Sequence, residues 1–242
     1  MNKKNKFAQN INWERVSLLM KIGILGALIN LAGDLLSGWG VRDTTIAGIE
    51  GLVSQYLTMP DGRMFWSAML GLFGAPISVF GHLSIYKLIK PFSRKYAKLY
   101  GIGMVGCLAL GGSGVHMSSL ASAFFYKYIT LANPEHALAV SIKFVRYFSL
   151  PLYILFFIFW FIAVYAHIKA ITGAFSPYPR RGWVFSMPVG ALFFSLVNVF
   201  GNHAIVNAIM VGALTLGNIW MLGGHLLMLS KVKENWGKST GQ

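Results

Sequence analysis

The chain has 242 residues, of which 55% are hydrophobic and only 12% charged. Soluble domains carry about 25% charged residues, so a disordered chain, a disulfide scaffold and an ordinary soluble enzyme are all excluded. The net charge of +14 would suggest nucleic acid in a soluble chain. Here it reflects basic loops facing anionic lipid, and no nucleic-acid partner is expected. Cys107 is the single cysteine, so no intrachain disulfide or cysteine metal site is expected.

A membrane helix needs about 20 mostly apolar residues, because its backbone must satisfy its own hydrogen bonds across the hydrocarbon. Six runs qualify: Val16–Trp39, Met64–Ile89, Leu99–Phe125, Phe148–Ile171, Trp183–Phe200 and Ala204–Leu229. The first is too long for a signal-peptide core and is expected to be retained. The fold class is therefore all-α, a polytopic bundle of about six transmembrane helices. No linker divides it, and residues 1–242 read as one integral-membrane domain of a cell membrane. Most of the 21 basic residues fall at the N-terminal segment, the second and fourth loops and the tail. Lys3, Lys4, Lys6, Lys90, Arg94, Arg180 and Lys231 are among them. The positive-inside rule then places both termini, segment 1–15 and tail 231–242, in the cytoplasm. Arg42, Arg63, Lys127, Lys143 and Arg146 remain for the other side.

Two segments exceed simple loops. Thr44–Thr58 groups Ile46, Ile49, Val53, Tyr56 and Leu57 on one side of a short outer helix. His136–Tyr147 is a second apolar stretch, with Pro151 offering a kink before the fourth span. Together they predict short interfacial helices as an outer lid. Gly81-His82-Leu83 and Gly224-His225-Leu226 form a faint echo that chance also explains.

Gly101-x-Gly103-x-x-Gly106 matches the dinucleotide fingerprint as a string. That motif needs a preceding strand, whereas here it opens a membrane helix. Gly106, Leu110, Gly114, Ser118 and Ser122 follow at four-residue spacing, which lets a neighbouring backbone approach closely. This predicts a central third helix.

Ionisable groups within spans are costly, so each is a functional candidate. Asp34 is the only acidic residue in a span and shares a helix face with Asn30. His116, on the third helix, and His203, at the start of the sixth beside Asn198, Asn202 and Asn207, map to a similar depth. A shared site of Asp34, His116 and His203 is therefore expected, with Glu50 of the outer helix as a further acid. Trp39, Asn30, Asn198, Asn202 and Asn207 are candidate substrate contacts. Arg146 is a candidate too, as the counter-ion of Asp34; snorkelling to headgroups is its alternative. His82, His167 and His225 near the inner helix ends form a weaker set able to hold a divalent metal. No HExxH, Walker loop or nucleophile elbow is present.

The leading expectation is an intramembrane enzyme using Asp34 or Glu50 as acid or base, with His116 and His203 relaying charge, on a lipid-like substrate. A low dielectric favours the neutral form of both side-chain types and brings proton exchange near neutrality. The alternatives are a proton- or cation-coupled carrier or channel, with helix breaks at Pro76, Pro151 and Pro188, and a subunit without chemistry of its own. A third is a haem electron carrier pairing His82 with His167 and His116 with His203. In helix count and histidine placement alone, that arrangement loosely resembles the six-helix b561-type cytochromes. No cofactor is favoured, and the oligomeric state is unspecified.

Overall fold

The computed structural model describes residues 11–240. Lys3, Lys4 and Lys6 lie outside the described residues, as does the side chain of Lys238. Among the described residues the chain is all-helical, without strands. Five helices are long and apolar enough to cross a membrane.

Helix α1 (Trp13–Gly38) starts at Asn12, whose side chain accepts the Arg15 N–H at 2.9 Å. An N-cap of this kind satisfies a donor the helix itself cannot. The short helix α2 (Gly48–Val53) and a 3-10 turn (Ser54–Tyr56) follow. The Ser54 hydroxyl accepts the Asp43 N–H at 2.7 Å and donates to the Gly51 carbonyl at 2.8 Å, which pins this segment. Helix α3 (Asp61–Ile89) then returns past α1.

The third and fourth spans are longer than the sequence suggests. Helix α4 (Arg94–Leu110) continues through a π-helical segment, Gly111–His116, into α5 (Met117–Ala132). Helix α6 (Pro134–Phe144) continues through a second π segment, Val145–Ser149, into α7 (Leu150–Thr172). Each composite helix has 39 residues, about 58 Å at 1.5 Å per residue. That exceeds the roughly 30 Å of hydrocarbon. His136–Tyr147 is therefore no separate lid helix. The irregularity before Pro151 is the π segment, where the wider turn accommodates the N–H that proline cannot give to the preceding turn of this continuous helix. Only α2 remains as a distinct short helix between the first two spans.

Two further expectations change. Trp183–Phe200 is not one uniform span but a 3-10 segment (Arg180–Phe185), helix α8 (Met187–Ser195) and a 3-10 turn (Leu196–Phe200). Pro188 opens α8 afresh, and Gly201 at φ 86° leads the chain out of the last turn. Ala204–Leu229 is broken at Gly212 into α9 (Ala204–Val211) and α10 (Ala213–Thr240). A side chain at Gly212 would lie 2.8 Å from Leu31 Cδ1, so the break packs directly against α1.

Helix α3, not the third span, is the most enclosed, with 44% of its apolar window buried against 33% for Arg94–Ala132. The reason is its glycine seam with α1. A Cβ on Gly23 would strike the Gly81 backbone, one on Gly26 the Ser78 backbone, and one on Gly74 the Asn30 backbone. The small-residue stripe of the third span is nevertheless used, within the chain. Gly103 faces Ala163, Gly106 faces the Phe159 ring, and Ser122 and Ser149 bond at 2.8 Å. Val16, Met20, Ile85, Tyr100, Met221 and Leu222 fill the core at one end of the bundle.

Replacing Gly23 by Val forces the α1–α3 seam apart. We expect a destabilisation of about 1–3 kcal/mol, typical of overpacking, read as a lower Tm in detergent. Gly62→Val, where nothing lies within 4 Å, serves as the control.

Candidate functional site

Asp34 lies one turn from the end of α1 and is only 7% exposed. A carboxylate buried without partners would be driven to its neutral form. Asp34 has three partners. His116 Nδ1 lies 3.1 Å from Oδ1. The Thr215 hydroxyl donates to Oδ2 at 2.6 Å. Asn30 Nδ2 donates to Thr215 Oγ1 at 2.7 Å and to Oδ2 at 3.3 Å.

The imidazole is fixed from its other side. His116 Nε2 lies 2.9 Å from the Ser67 carbonyl oxygen. A carbonyl only accepts, so Nε2 carries a proton. The contact between Nδ1 and Oδ1 then holds one proton. It resides either on a neutral carboxyl that donates to Nδ1, or on an imidazolium that donates to the carboxylate. Either way the pair is neutral as a unit, which lets it persist among apolar helices. Oδ2 accepts from two donors, so it is Oδ1 that holds the movable proton.

Local sequence explains the placement. His116 closes the π segment Gly111–His116, and the extra residue of a π turn re-aims the side chains that follow. Gly71 of α3 makes the room, because a Cβ there would overlap the His116 ring. The Ser67 hydroxyl donates to the Gly33 carbonyl at 2.7 Å, locking α3 to α1 beside Asp34.

The dyad lines a cavity of about 400 Å³. Asn30, Ser37, Thr215, Asn218 and His82 share that wall. Leu108, Phe156 and Trp160 supply much of its apolar lining, and Tyr56 reaches it from the outer segment after α2. Ser119 and the Tyr153 hydroxyl bond to each other at the same cavity. Asn218 lies beside His82 on the same cavity.

Several expected members are elsewhere. His203 is exposed at the start of α9. The register explains it: Gly38 packs on Ala208, so Thr215, three turns past His203, is the residue level with Asp34. Glu50, Arg146 and Asn198 are exposed, and none lines the cavity. Arg146 is not the counter-ion of Asp34; His116 takes that place. Trp39 is 50% exposed at the end of α1. Asn202 and Asn207 are structural ties. Asn202 exchanges hydrogen bonds with the Arg42 backbone at 3.1 and 2.7 Å, and Asn207 donates to the Gly40 carbonyl at 2.7 Å. Thr215 and Asn218 were not anticipated. Their three-residue spacing on an apolar helix was the available signal.

The inner histidines gather, but not around a metal. His82 Nδ1 is 2.8 Å from the Tyr100 hydroxyl, and His167 Nε2 is 3.0 Å from His225 Nε2. Among the described residues no three His, Cys, Asp or Glu side chains are placed to share an ion. The two proposed haem pairs do not form. The 3.0 Å between His167 and His225 also leaves no room for an iron between opposed rings, which needs roughly twice a 2.0 Å metal–nitrogen bond.

Residues 1–232 match the model of a family described as a family of unknown function (DUF6796), and the chain belongs to that family. No curated protein and no solved structure matches it.

Gly71→Ala intrudes on the His116 ring and should separate it from Asp34. Losing that buried contact costs about 1–3 kcal/mol, measured as a fall in Tm. Gly62→Ala, where nothing lies within 4 Å and which does not line the cavity, should leave the His116 NMR signals unchanged while Gly71→Ala shifts them.

Proposed function

We propose that this member of a family of unknown function is an intramembrane enzyme that performs acid–base chemistry on a hydrophobic, lipid-like substrate. The observation that supports it is the Asp34–His116 dyad on the wall of an apolar cavity of about 400 Å³. That volume falls in the range of roughly 300–1,000 Å³ common for small-molecule sites.

Asp34 is the group that meets the substrate. Both His116 nitrogens are engaged, one by Asp34 and one by the Ser67 carbonyl, so the ring acts through Asp34, exchanging with it the proton of Oδ1. With the proton on Oδ1, Asp34 is a general acid. With the proton passed to His116, it is a general base. The exchange needs no bulk water and creates no net charge. Thr215 and Asn30 hold the carboxyl orientation. Asn218 and the Ser119–Tyr153 pair offer further polar contacts to a substrate oxygen. Isomerisation and cyclisation suit a dyad that takes and returns one proton; hydrolysis would draw a water to the same wall.

A second reading, a proton-coupled carrier, has one observation in its favour. The α9–α10 break at Gly212 lies beside Asp34, its Cβ position 3.6 Å from Asp34 Cβ. Broken helices next to buried ionisable groups are a carrier trait.

Asp34→Asn should lower turnover by about 10²-fold or more, the usual contribution of a proton-transfer group, while the protein stays folded. Untargeted mass spectrometry of lipid extracts from cells producing wild type or the variant reads the change. Identical lipid profiles, together with proton-coupled flux in liposomes that D34N abolishes, would favour the carrier.

A further inference from the structure

Three histidines and two tyrosines occupy the inner core although the dyad chemistry uses none of them. His82 is 3% exposed, His167 1%, His225 0% and Tyr100 0%. Each polar group so enclosed must be paired or pay for desolvation. His82 lines the cavity of the dyad and bonds Tyr100 at 2.8 Å. The Tyr100 ring stands between His82 and His167, with centroids 6.2 and 6.1 Å away. His167 and His225 meet through Nε2 at 3.0 Å. His225 is anchored by the Tyr178 ring at 4.4 Å, and the Tyr178 hydroxyl donates to its carbonyl at 3.2 Å.

The pair has an informative tautomer pattern. In a neutral contact one Nε2 carries a proton and the other is bare. The donor ring therefore has a bare Nδ1, and the acceptor ring has a protonated Nδ1. Both Nδ1 atoms are buried without hydrogen-bond partners. One end of the pair is thus an unused acceptor and the other an unused donor. With His167 as the donor ring, His225 carries its proton on Nδ1. A proton arriving at His167 Nδ1 passes its Nε2–H proton to His225 Nε2, and His225 releases the proton on its own Nδ1. One proton enters and one leaves. Both rings end as the opposite tautomer, ready for the return step.

We propose that His82 and Tyr100, with the His167–His225 pair, form a proton path linking the Asp34–His116 cavity to the end of the bundle where Lys169 and Lys231 lie. One bridging water between Tyr100 and His167 completes it, and the unpaired His167 Nδ1 supplies its anchor. The proposal rests on the shared proton of the dyad, not on catalysis. The path supplies the dyad from one side of the protein and keeps bulk water away from a hydrophobic substrate.

The test times hydrogen–deuterium exchange at the Asp34 carboxyl by stopped-flow infrared spectroscopy of the full chain in lipid nanodiscs. The band is identified as the carboxyl stretch lost in Asp34→Asn. Tyr100→Phe keeps the packing and removes the relaying hydroxyl; His225→Gln keeps one hydrogen bond and ends two-sided transfer. Each should slow exchange by about a hundredfold, the low end for a positioned proton-transfer group, with the band position unchanged. His203→Gln, at the exposed imidazole, should exchange like wild type. Unchanged exchange in Tyr100→Phe, or equal slowing in His203→Gln, overturns the path and leaves the dyad standing. An Asp34 band, carboxyl or carboxylate, whose position and exchange are the same in His116→Gln as in wild type overturns the dyad and the path together. If His225→Gln does not fold, Tyr100→Phe decides alone.

Discussion

One proton between Asp34 Oδ1 and His116 Nδ1 conditions much of the surrounding architecture. A carboxylate and an imidazole buried separately would each have to be neutral, with unmet hydrogen-bonding capacity. Together they form a neutral unit whose remaining atoms all have partners in Ser67, Thr215 and Asn30. The five residues come from four helices. Bringing those helices close enough requires glycine at Gly71 for the ring and along the α1–α3 seam. The π turn at Gly111–His116 and the break at Gly212 fall beside the same unit. Irregular backbone in a membrane bundle is tolerated where neighbouring protein or a cavity satisfies it, and both irregularities meet that condition.

The bundle separates two polar regions. The dyad region borders the cavity and gathers hydroxyl and amide groups. The other region holds imidazoles and phenols among the buried Met20, Ile85, Leu88, Met221 and Leu222. His82 belongs to both, because it lines the cavity and bonds Tyr100. Asp61 and Lys127, paired at 2.8 Å, form a third polar point where α3 meets α5. That pair is half exposed at Asp61 and contributes little energy. Its role is to tie helix ends that the apolar seam does not reach.

The candidate site was legible only in part, for reasons particular residues show. Asp34, Asn30 and His116 stood out because polar groups within apolar runs are expensive and few. His203 was misplaced because helix-end counting assumes that spans begin at one common plane. Asn202 and Asn207 tie α9 to the Arg42 and Gly40 backbone beyond the end of α1, which shifts the last span by about three turns relative to Asp34. Arg146 failed as a counter-ion because it sits on an exposed face of its π segment, while His116 reaches Asp34 from the third span. Thr215 escaped notice because a threonine is cheap in a membrane helix, and its three-residue spacing from Asn218 is a weak signal beside an ionisable group.

Composition and apolar run length by themselves determined the class: a multi-pass helical protein with scarce, identifiable ionisable groups. The four-residue stripe of the third span also marked a contact, made by Gly106 and Ser122, but not the α1–α3 glycine seam. Only the tertiary structure decided which polar groups meet. It joined His116 rather than His203 to Asp34, turned His167 toward His225, and replaced two of the expected uniform spans with broken helices. Those outcomes depend on register between helices distant in sequence. Register is fixed by steric fit along glycine seams and by backbone ties such as Asn207 to Gly40, neither of which a one-dimensional pattern encodes.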